Sequence, residues 1–355
     1  MANTRNTNTK EEIILLDQES ARFMKARTEA QRVQFMPTLI ALLLAFLLLG
    51  MSVLEYLSPN FILFAEPASW QVLALKQIIH FGLIPLLVIT LVLLIYKPSI
   101  DLLARHKDKP LSIFSALWLG IAAAFAYYLV VVLLSRINVL DLAKSYLPAS
   151  LNTFEPFLHQ STGRAVAALS FSVLLPTVTL VPLLLGLFLT PLLSSEKRML
   201  SLFFTCLLGA LLPLETQAFF AYLLLWILLT RIYVTGSGLI TAAIAGAVFM
   251  TTLMLAPGLF SLLSSHFIAW QSTSDLQGTL LIFALLLIIL VLGLPGIFHF
   301  NLLDRAERRN QLALSVQPHI SKHIEKTKDR LTLSWILIAI SLVLFALSLI
   351  ADYFL

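Results

Sequence analysis

The sequence predicts an all-α, polytopic transmembrane bundle of about nine spans, and three observations carry that prediction. Apolar residues make up 59% of the 355 and charged residues only 12%, with a mean hydropathy of +0.92. The apolar residues fall into repeated runs of about 20, the length that crosses the hydrocarbon core as helix. Those runs are continuously apolar, whereas the strands of a membrane barrel alternate. The basic residues also sort to alternate loops, as they do in chains threaded through a bilayer.

Residues 1–35 precede the first span. Positions 1–9 are rich in Asn and Thr, a composition that does not build a core. Residues 10–35 place Ile13, Leu16, Phe23 and Val33 among alternating charges. That pattern fits either an amphipathic helix lying in the membrane interface or a short solvated cytoplasmic one. The integral membrane domain then covers 36–355. The first apolar run starts after about 35 polar residues and is long enough to remain as a span, so no cleavable signal is expected.

Spans are expected at 36–57, 77–96, 111–134, 164–190, 199–214, 217–234, 239–263, 278–300 and 331–353. With the N-terminus cytoplasmic, Lys76, Arg136, Lys144 and Arg164 are the four basic residues outside, and the other 20 of 24 fall inside. That asymmetry predicts a cytoplasmic N-terminus and an external C-terminus. It also accounts for the net charge of +5 without nucleic acid: Arg305, Arg308, Arg309, Lys322, Lys326, Lys328 and Arg330 bracket one cytoplasmic loop, where anionic headgroups attract them. No segment between spans is long enough for a separate core. The one cysteine, Cys206, lies in an apolar run and reads as a small apolar filler.

Few side chains could carry chemistry. His80 lies inside the second span and is the first polar candidate, since ionisable groups within spans face interior cavities; a hydrogen bond to a neighbouring helix is the simpler role. Lys76, four residues earlier, can snorkel to water. Glu215 ends the fifth span and could meet His159 and His266 from other outer segments. His319 and His323 share a helix face with Glu325 nearby, but they lie in a charged loop and lack a glutamate between them, so a solvated face is the better reading. His299 closes the eighth span at an interface. Neither a metal nor another cofactor is expected from these residues.

The most organised stretch is 171–252. Thr235, Gly236, Ser237 and Gly238 form a polar turn, and Gly238, Ala242 and Gly246 recur at a spacing of four, giving the next helix one small-residue face for close packing. Pro176, Thr177, Thr179 and Pro182 mark a break in the fourth span, where threonine hydroxyls can serve backbone groups that proline frees.

This order of helices, with its Thr-Gly-Ser turn, resembles the core of the CPBP family, the CAAX-protease and bacteriocin-processing intramembrane metalloproteases. The resemblance implies a four-helix core at about 164–263 and, with it, a bacterial cytoplasmic membrane. It also implies paired glutamates at Thr179 and Leu180, an arginine at Leu184, histidines at Pro213 and Gly246, and an asparagine at Met250. None of those residue types is present. Threonine, leucine, glycine and methionine cannot bind a hydrolytic metal and polarise its water. The resemblance therefore implies a degenerate, non-catalytic member that binds a membrane-protein partner or a lipidic peptide, with the lipid bilayer as its surroundings. A transporter or permease subunit is the alternative, suggested by the Pro-Thr break and by Pro257-Gly258; an active protease with relocated ligands is the third. Thr179, Pro213, Gly246 and Met250 are expected to surround a common cavity between the fourth, fifth and seventh helices, one that is apolar and dry or holds a lipid chain.

Overall fold

The computed structural model describes residues 35–57, 70–98, 113–136, 161–193, 198–214, 219–264, 289, 291 and 335–345. Regular structure among them is helical throughout, with no strand. Helix α1 is Met36–Leu57. Helix α2 joins Trp70–Gln77, a wide π-helical stretch at Ile78–Leu83, and Ile84–Tyr96. Then come α3 (Ile113–Arg136), α4 (Thr162–Leu193), α5 (Arg198–Leu211), α6 (Phe219–Ile232), a π-helical turn at Tyr233–Ser237, α7 (Gly238–Ser264) and α8 (Trp335–Phe345).

Four of these are long and apolar enough to cross a membrane: Val72–Tyr96, Ile113–Val130, Thr162–Leu193 and Gly238–Leu255. Met36–Met51, Met199–Leu211, Phe219–Thr235 and Trp335–Phe345 are shorter apolar stretches. The second span starts earlier than the hydropathy suggested, because the turns before Gln77 are already helical. Apart from residues 289 and 291, the expected span at 278–300 lies outside the described residues, as do residues 1–34 and the loops at 99–112 and 301–330.

Helix α4 is the centre. In its most apolar window 72% of the residues are buried, against 33–44% for the other three long helices, and it packs on α1, α2, α5 and α7. Large apolar side chains such as Phe46, Leu94, Val178, Met199 and Ile240 point outward, as hydrocarbon surroundings permit.

The helices alternate in direction. Gly120 lies against Ala245 and Tyr128 bonds to Leu253, so α3 and α7 run parallel. Cys206 meets Thr230 and Gly209 meets Trp226, so α5 and α6 are antiparallel. Ser172 meets Met254, Thr177 meets Gly246 and Gly186 meets Leu239, so α4 runs against α7. Successive thirds of α2 pack on successive thirds of α4, making that pair parallel. Helices α2, α4 and α6 point one way and α3, α5 and α7 the other.

Proline explains the wide turns. Pro85 in α2, and Pro176, Pro182 and Pro191 in α4, lack the N–H that would serve the carbonyl four residues earlier. The π-helical stretches Ser170–Leu174 and Pro182–Leu189 flank the Pro176 turn of α4. Hydroxyls fill the helix from within: Thr177 donates to the Val173 carbonyl (2.6 Å), Ser172 to Ala168 (2.5 Å) and Thr190 to Leu185 (2.9 Å).

Candidate functional site

Helices α4, α6 and α7 flank a small, partly open pocket of about 20 Å³. Pro176, Thr177, Leu180 and Val181 line it from α4, Tyr222, Leu225, Trp226 and Leu229 from α6, and Gly246 and Met250 from α7. These elements meet because Gly246 has no side chain: a Cβ there would sit 3.3–3.4 Å from Leu229 and the Thr177 methyl. The α6–α7 turn sets the register. Gly238 holds φ +79° and ψ 168°, a backbone state open essentially to glycine alone, and Thr235 closes the preceding turn by donating to the Ile232 carbonyl at 2.8 Å.

The positions singled out in the sequence separate here. Leu180, Gly246 and Met250 line the cavity. Leu184 is fully buried one turn further along α4, outside the lining. Thr179 faces α2 instead, donating to the Phe81 carbonyl at 2.5 Å as well as to Leu175 in its own helix at 2.9 Å. Pro213 is buried just past the end of α5 and does not reach the cavity. Glu215, His159, His266, His299, His319 and His323 lie outside the described residues. Of the small-residue stripe, Ala242 and Gly246 are buried. At Gly238 a Cβ would meet nothing within 4 Å, so its glycine answers to backbone conformation and not to packing.

Chemically, the cavity wall offers the Thr177 and Tyr222 hydroxyls and the Trp226 indole, and no carboxylate, imidazole or thiolate. A divalent metal needs the latter set. Among the described residues, no three His, Cys, Asp or Glu side chains lie together. Comparison of the chain with protein-family models, with curated proteins and with solved structures returns no match. Its function is therefore argued from the residues alone.

A second polar centre lies on α2. The His80 Nε2 bonds to the Leu212 carbonyl at 2.9 Å, just beyond the end of α5, where helix carbonyls run out of backbone partners. Leu214 closes that end with φ 54°. The neighbouring Phe81 carbonyl receives Thr179. It is the carbonyl that Pro85 cannot serve, so the proline in one helix and the threonine in another are complementary. Gln77 precedes them, 8% exposed, and its Oε1 has no partner.

Two features of the site escaped the sequence. The contact of Gly209 with Trp226 is one: a Cβ on Gly209 would fall 2.4 Å from three atoms of the indole, so the ring lies flat against that glycine. The other is the Trp226 Nε1, buried with no hydrogen-bond partner. Gly209 continues a spacing of four with Ser201 and Thr205 in α5, a small-residue face that the sequence offered and that points to close packing without naming α6 as the partner.

Proposed function

We propose that this protein is a degenerate relative of the CPBP intramembrane metalloproteases, without catalytic activity, that works by binding a membrane-protein partner or a lipidic peptide. The observation that supports it most is convergence. Leu180 on α4 meets Gly246 and Met250, one turn apart on α7; they stand where the family frame places a glutamate, a histidine and an asparagine, and they line one pocket. Their side chains bring no metal ligand to it, and a water without an ion is a poor nucleophile near neutral pH. The pocket is small and partly open, so the partner or peptide meets mainly the outer faces of the helices.

Metal analysis of the purified protein is expected to find no stoichiometric zinc, and prenylated peptides are expected to stay intact. One tightly bound transition metal per chain, lost on His80→Ala or Glu215→Ala, would restore the protease reading.

The proposal includes nine spans in a bacterial cytoplasmic membrane, with the N-terminus inside and the C-terminus outside. The alternating directions of α2 to α7 and the basic asymmetry support it. Single cysteines introduced at Lys107 and Thr153 are expected to react from opposite sides, with buried Cys206 silent. Labelling of both from one side would overturn this topology.

A further inference from the structure

One charged side chain stands on the outer face of the bundle with no carboxylate on any helix around it. The fully outward positions of α6 are Phe220, Ile227 and Arg231, seven and four residues apart and so on one stripe of the helix. Helix α6 packs on α3, α5 and α7, and none of these four helices contains Asp or Glu. Two contacts fix the depth of Arg231. Tyr233 meets Thr190 at 2.6 Å, and α4 ends three residues later at Leu193. Cys206 meets Thr230, and five residues before Cys206 on α5, Ser201 donates to the Leu192 carbonyl. At 1.5 Å per residue, both place Arg231 about 6–8 Å inside the end of α4.

An arginine at that depth stays charged, and it is costly there unless it is paired or reaches the membrane interface. The helices around it bring no anion, and neither does hydrocarbon. Lipid phosphate is the anion within reach, and its oxygens match the guanidinium fork in pairs. Below the charge the stripe is apolar, with Ile227 one turn further in and Phe220 about three. We propose that Arg231 binds one anionic phospholipid, its phosphate on the guanidinium and its acyl chain along Ile227 and Phe220. This site is separate from the pocket. Tyr222, Leu225 and Leu229, which line the pocket, each lie two residues from a member of the stripe, and so on the opposite side of α6.

The test is native mass spectrometry of the full chain, purified in detergent and mixed with phosphatidylglycerol or with phosphatidylcholine. The wild type is expected to hold more phosphatidylglycerol than phosphatidylcholine. Arg231→Gln is expected to lose one phosphatidylglycerol per chain, with helix content by circular dichroism unchanged. Arg164→Gln removes an exposed arginine near the start of α4, at the other end of the bundle, and is expected to keep the wild-type count. Equal retention of the two lipids by the wild type overturns the proposal without need of any variant. An unaltered count in Arg231→Gln overturns it too, and so does an equal loss in Arg164→Gln, which would mean that total charge and not this stripe holds the lipid.

Discussion

The two sides of α4 are held by different physics. Toward α2 it is held by hydrogen bonds: Thr179 reaches the carbonyl that Pro85 leaves unserved, and in the next position of α2 His80 reaches the end of α5. Toward α6 and α7 it is held by volume: Gly246 admits Leu229 and Thr177, and Gly209 admits the flat face of Trp226 from behind. In a bilayer there is no hydrophobic drive between helices, so close packing and satisfied backbone groups carry association. This molecule assigns the two tasks to opposite sides of one helix. The hydrogen-bonded side tolerates proline because a neighbour supplies the donor, though Gly82 also packs there against Leu175; on the packed side a Cβ at Gly246 would press on Leu229 and Thr177 at 3.3–3.4 Å.

The volume-limited contacts are where the largest effects are expected, and the one that presses on backbone is at the back of α7. A Cβ on Gly120 would sit 2.7 Å from the Ala245 carbonyl oxygen, a backbone atom that cannot swing aside. Gly120→Ala therefore forces α3 and α7 apart along their parallel contact. A loss at or above the upper end of the ~1–3 kcal/mol range for overpacking is expected. Gly50→Ala in α1 is the matched control, with nothing within 4 Å of the new carbon, and it is expected to gain about 0.5–1 kcal/mol. Thermal unfolding in detergent compares the two; equal midpoints would mean that the α3–α7 crossing is looser than its geometry.

Conformational strain comes next. Gly238→Ala meets no neighbour, yet it forces an L-residue into φ +79°, ψ 168°. A cost of about 1–3 kcal/mol is expected, confined to the α6–α7 turn. The measurement is hydrogen exchange of the amides around 233–240. If protection there is unchanged, the turn has an alternative conformation open to alanine.

The helical class, the extent of most helices and the small-residue approach at Ala242 and Gly246 were legible in the sequence, because hydropathy and a spacing of four are properties of one segment. Gly238 was misread for the same reason. It falls on the spacing, but the turn before it claims its conformation. Thr179 belonged to the family frame by position, and a carbonyl on another helix decided where it points. Gly120 lies between Ala116 and Ala124, and Gly209 follows Ser201 and Thr205, each at a spacing of four, so a close-packing face was there to be read; the partners, Ala245 and Trp226, about 125 and 17 residues away, were not. Spacing shows which residues share a face; which helix meets that face is settled by the bundle.

The smallest effects belong to the hydrogen-bonded side, and they test whether it is a contact between helices at all. Thr179→Val keeps the shape of the side chain and removes the donor from Phe81, the carbonyl that proline already deprives. Interhelical hydrogen bonds in membranes average about 0.6 kcal/mol and reach about 1.7, and this one belongs toward the upper end because its acceptor loses the substitute that Pro85 makes necessary. Thr90→Val is the control: its hydroxyl is exposed and donates only to Leu86 in its own helix, where removal is expected to change stability by no more than about 0.5 kcal/mol. Combining Thr179→Val with Pro85→Ala sharpens the reading, since alanine restores the N–H for Phe81 and makes the threonine redundant. The double variant should lose less than Thr179→Val does alone. Strict additivity of the two changes would mean that proline and threonine act independently, and that the α2–α4 contact rests on packing as the α6–α7 side does.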